Sequence, residues 1–139
     1  MIQEETELLL KDLCARLPYG VKIRVNDKIE TIEGINILDN IVEFGTYMAC
    51  DIDEVKPYLF PMSSMTDEQW RELFETAGYE EREEDCGRHT EMYYYQLVGH
   101  ENELYPNSDA IDWFNKNHFD YRGFIEKGLA LDATGLNIY

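Results

Sequence analysis

Three histidines and three cysteines limit the metal and nucleophile chemistry open to this chain. Cys86 and His89 are spaced like one pair of metal ligands, and Cys50, His100 and His118 are the residues that could complete a tetrahedral set. A structural zinc is usually held by two such close pairs. The sequence supplies one, so a turn cysteine beside a surface histidine accounts for it, and no metal ligand is assigned. Asp51, Asp53 and Glu54 have the oxygen donors that Mg²⁺ takes. The same residues suit the start of a helical turn, where they cap the chain and oppose the macrodipole. His118 and Asp120 are of the types that form an acid–base pair, yet no serine or cysteine nucleophile sits in a recognisable motif beside them. His118 also falls just past an expected helix end, where a cation is favoured. There is no GxGxxG, P-loop, HExxH or GxSxG. No catalytic residue and no cofactor is therefore assigned. The expected function is a non-enzymatic protein-interaction module, and the alternative is a small enzyme of unidentified substrate.

The candidate interaction surface lies in the most acidic stretch. Glu80, Glu81, Glu83, Glu84 and Asp85 are followed by the tyrosine run 93–95. Carboxylates this dense cannot be buried without paired cations, and only Arg82 and Arg88 are at hand. Alternation along a strand puts Tyr93 and Tyr95 on one face. Tyrosine is enriched at interfaces, so that face is a binding patch if exposed; a central strand packed between helices is the other reading. The whole chain carries 29 acids against 12 bases, a net charge of -17. That charge argues against direct binding of DNA or RNA, which needs clustered Lys and Arg, and against an anionic membrane surface. It suits a basic protein partner, or imitation of nucleic acid to block a host factor.

These residues must be positioned by an α+β fold. Residues 5–17 form an amphipathic helix, with Leu9, Leu10, Leu13, Cys14 and Leu17 in one stripe. Glu7 with Lys11, and Asp12 with Arg16, are i,i+4 pairs in the favourable order. Pro18 and Gly20 end the helix. Val21, Ile23 and Val25 alternate with Lys22 and Arg24 as a half-buried strand. A second strand over 29–37 shifts its apolar phase around Gly34, which predicts a bulge. Residues 41–44 and 47–50 make a hairpin around Gly45. The result is an antiparallel meander, a form that can curl into a small barrel. Asp51 is expected to cap a helical turn through Tyr58. Thr66 and Gln69 have capping-box spacing, ahead of a helix that buries Trp70, Leu73, Phe74 and Ala77 and stops at Gly78. A second hairpin is expected to pair 79–84 with 89–98. Ser108 is read as capping a helix to Asn115, and Asp120 as capping a short helix over 121–127. The tail to Tyr139 has no periodicity.

At 139 residues the chain matches one ordinary domain. It lacks a run of about 20 apolar residues and the basic start of a signal peptide. Three widely spaced cysteines without CxxC read as reduced thiols, so a cytoplasmic protein is expected. Three segments also look familiar together: LLLKDLCARLPYGVK from Leu8, VKPYLFPMSSMT from Val55 and WFNKNHFDYRGFIEKGLALDA from Trp113. They resemble a group of small proteins, without assigned activity, from gut Bacteroides and its phages and mobile elements. The resemblance implies a cytoplasmic accessory protein of a bacterium or phage, and it assigns no role to any residue.

Overall fold

The structure is a computed structural model and describes residues 1–78 and 107–139. The expected second hairpin lies outside the described residues. So do Cys86, His89, His100 and the whole candidate surface of Glu80, Glu81, Glu83, Glu84, Asp85, Tyr93 and Tyr95.

The N-terminal helix α1 runs Gln3–Arg16 and continues as a 3-10 turn over Leu17–Tyr19. Gly20 then takes φ 69°, a left-handed conformation that turns the chain into the sheet. The meander follows as read: β1 is Lys22–Val25, β2 Lys28–Asn36, β3 Ile41–Phe44 and β4 Met48–Asp51, each antiparallel to the one before. Asn26 and Asp27 both have positive φ, the geometry a two-residue hairpin demands. The β2–β3 register shifts between Ile32 and Gly34, where the apolar phase breaks. The sheet is open rather than a barrel, because β1 pairs on its other side with β5 (Lys56–Leu59) and not with β4. With β6 at Leu131–Asp132, the strand order becomes β4-β3-β2-β1-β5-β6.

The expected helical turn from Asp51 through Tyr58 does not form. The turn after Asp51 is a 3-10 turn of three residues, Ile52–Glu54, and the Asp51 side chain makes no cap. Val55–Tyr58 is not helical: Val55 is extended, and Pro57 and Tyr58 lie in β5, beside β1 and β6. The tail contributes β6, Leu131–Asp132, which pairs parallel to β5.

Helix α2, Asp67–Ala77, has both capping-box bonds between Thr66 and Gln69 and ends at Gly78 with φ 74°. Helix α3 runs Ser108–Lys116, and its cap is Asn107, whose side chain accepts from the Ala110 amide; Ser108 is already inside. Residues 121–127 form turns rather than a helix. Asp120 does bind the Phe124 and Ile125 amides, but Gly123 at φ 73° breaks the helical path between them.

Two apolar clusters result. One sits between α1 and the sheet, built on Leu9, Leu13, Ile23, Val42 and Phe124. The other joins α2 to α3 through Trp70, Leu73, Phe74, Trp113 and Phe114. Among the described residues no helix is long and apolar enough to cross a membrane.

Candidate functional site

Three places hold groups that could do more than support the fold. The first is a buried charge cluster. Asp12 and Arg16 lie one turn apart on the buried side of α1, and both side chains are 0% exposed. Arg16 Nε donates to Asp12 Oδ2 at 2.8 Å, and Arg16 Nη2 donates to the Phe119 carbonyl at 2.7 Å. Arg122 Nε reaches the other Asp12 oxygen at 3.1 Å. Both guanidinium groups lie near the Tyr121 ring, 5.3 and 5.0 Å from its centroid. A carboxylate already paired with two cations, and a guanidinium bonded to a carbonyl, are poor general bases and acids. The cluster instead ties α1 to the segment after α3.

The second place is His118, which follows α3 at φ 64°. Its carbonyl accepts from the Phe60 amide at 2.8 Å, so the strained residue is held against β5 by backbone. Its ring stacks on Tyr139 with centroids 3.6 Å apart. The Tyr139 hydroxyl donates to the Tyr58 carbonyl and accepts from the Lys22 amide, and burial pushes its pKa up. The His118–Asp120 pair does not form: both Asp120 oxygens accept backbone amides, and His118 Nδ1 is buried without a partner. Nor is His118 a cation at a helix end. Burial first, then Arg16 and Lys22, lower its pKa to about 4.

That shift has a sign. The unfolded chain takes up this proton near pH 6.5 and the folded protein only near pH 4. The group therefore costs nothing above about pH 6.5, and folding stability falls as pH drops from there toward 4. In an NMR titration the His118 ring should stay neutral at pH 5.5, and His118→Asn, which tolerates the left-handed backbone, should flatten the acid slope of stability. A His118 midpoint near 6.5 would contradict this enclosure.

The third place is the outer face of the sheet at its β4 edge. Gly34, Glu43 and Ala49 are cross-strand neighbours in one row. The bulge places Glu33 beside them. Small residues on either side of Glu43 leave a hollow of about 500 Å³, lined by Glu33, Glu43, Gly45, Tyr47, Met48 and Ala49. A Cβ at Gly34 would come within 2.5 Å of Glu43 Oε2, so the exposed carboxylate would have to turn aside. Tyr47 and Met48 stand at one end of β4, with Tyr47 fully exposed. Ile37 and Leu38 are exposed on the β2–β3 turn near the other end, Leu38 at 94%. No cation among the described residues lies within ion-pair distance of Glu33 or Glu43.

Of the other residues singled out from sequence, Cys14 and Cys50 are free, half-buried thiols whose pKa values are raised, chiefly by burial. Asp51, Asp53 and Glu54 do not converge, and among the described residues no three His, Cys, Asp or Glu side chains are grouped to hold a metal ion. The β4 hollow was missed. Its signals were the phase break at Gly34 and a tyrosine in a tight turn with no apolar periodicity to bury it. No family model, curated protein or solved structure matches the chain.

Proposed function

We infer that the protein is a protein-binding module, that the β4 edge of its sheet is a docking surface, and that the partner is basic. The observation that carries this reading is the combination at that edge. Among the described residues, exposed Tyr47, Met48 and Leu38 flank a strand with no partner on its outer side, beside two carboxylates with no cation within ion-pair distance. Large apolar side chains exposed together favour association, and the carboxylates select the sign of what associates. The net charge of -17 extends that selection beyond contact distance and speeds encounter with a cation-rich surface. A basic partner includes a nucleic-acid-binding protein whose phosphate-contacting face meets these carboxylates, which is the mimicry form of the reading. A cytoplasmic setting fits the free thiols of Cys14 and Cys50.

A photo-reactive phenylalanine analogue at position 47 tests the surface directly. Expressed in a bacterial host, it should give a discrete adduct with a basic protein, while the same analogue at exposed Glu68 on α2 gives none. Equal adducts at both positions, or none at 47, would overturn the assignment of the surface.

A further inference from the structure

We propose that the β4 edge accepts an extended strand from the basic partner, with Arg or Lys at alternate positions; this rests on the docking surface inferred above. Among the described residues the sheet ends at β4, which pairs only with β3. Edge strands are blunted by very short length, by charges, by Pro, by a bulge or by a covering helix or loop. β4 is short and carries Asp51, but it has no Pro, no Lys and no bulge, and it pairs with β3 in unbroken register. No described residue pairs with its outward backbone groups, which is the geometry strand addition uses.

The side-chain pattern follows from the register. Ala49 and Asp51 are two apart, so they project from the same face, and Ala49 is paired with Glu43 while Asp51 is paired with Ile41. Strands lie about 4.8 Å apart, so an added residue opposite Ala49 would sit about 10 Å from the Glu43 backbone. A short side chain cannot cross that gap. An arginine or lysine can, lying over the Ala49 methyl with its head between Glu43 and Glu33. The added residue two positions away stands opposite Asp51, where a second cation is favoured. The residue between them points to the other face. The recognition pattern is basic–any–basic, in an extended segment about as long as β4. A second copy of this chain does not fit, because its own edge would bring Glu43, Asp51 and Asp53 against the same residues.

The probe is a seven-residue peptide with a central Arg-Val-Arg flanked by threonines. Its binding should shift the backbone amide resonances of Met48–Asp51. Two N-methylated versions separate strand pairing from charge attraction. Methyls on the arginine amides and methyls on the amides of Val and its alternate neighbours block opposite edges of the peptide. One version should lose at least tenfold in affinity while the other binds like the parent. Equal binding of both versions, or no perturbation at Met48–Asp51, would overturn strand addition. If an adduct still forms at position 47 in that case, the docking surface stands and only this mode of recognition fails.

Discussion

Asp12→Ala should lower stability by about 3–5 kcal/mol, the usual cost of removing one partner from a buried ion pair. For a chain of this size each kcal/mol moves Tm by roughly 3 °C, so the melt should fall by about 10–15 °C. The reason is specific. Arg16 is wholly buried, and Asp12 is its only anionic partner among the described residues. Without Asp12 the guanidinium keeps the Phe119 carbonyl, yet Nη1 has no partner even in the intact protein. Arg122 then adds a second cation with no carboxylate between them. Asp12→Asn keeps the shape but not the charge, and should fall between wild type and Asp12→Ala. The pair itself need not be stabilising relative to apolar residues of similar volume. Asp12→Leu with Arg16→Met should therefore recover most of the loss. Thermal denaturation of the four proteins checks this, and a loss below about 1 kcal/mol for Asp12→Ala would mean that the pair is hydrated.

This pair shows where the sequence was legible and where it was not. An Asp–Arg pair at i,i+4 reads alike on a solvated or a buried face. The signal that distinguishes them is phase: Leu9, Asp12, Leu13 and Arg16 fall at i, i+3, i+4 and i+7, so the charges share the apolar stripe. Features fixed by short-range physics were readable. The bulge at Gly34 followed from the apolar phase, the Thr66 cap from its Gln69 partner, and the helix stops from Gly20 and Gly78. Features made by distant partners were not. Pairing between β5 and β6 joins segments more than 70 residues apart, and nothing in Leu131–Asp132 alone marks a strand. Acidic residues after Asp51 imitated a helix start and concealed β5. The Tyr139 hydroxyl meets Lys22 across 117 residues, so the enclosure of His118 had no local signature.

The docking surface has the same origin. Acid density drew the reading to residues 80–85 and to Tyr93 and Tyr95, all outside the described residues. The β4 hollow depends on two carboxylates from different strands, brought together by the bulge and by the lack of a side chain at Gly34. Neither carboxylate is conspicuous in sequence. Composition reports the total charge, while the fold decides which charges share a hollow.

The second large effect concerns that hollow and the central claim. Glu33→Lys with Glu43→Lys reverses the charge of the site. Both side chains are exposed, and Glu43 points away from buried Val42 and Phe44. The fold should therefore survive, with an unchanged circular dichroism spectrum and melt. Binding should exchange partners, because like charges juxtaposed across an interface are penalised while opposite charges steer and register it. Titration calorimetry of the wild-type and doubly reversed proteins against the Arg-Val-Arg peptide and its Glu-Val-Glu counterpart, at about 0.05 and 0.15 M salt, measures this most directly. Wild type should bind the arginine peptide and ignore the glutamate peptide. The reversed protein should lose at least tenfold for the first and gain affinity for the second, with both preferences weakening as salt rises. Equal affinity of the two proteins for the arginine peptide would contradict the assignment of a basic partner to the β4 edge.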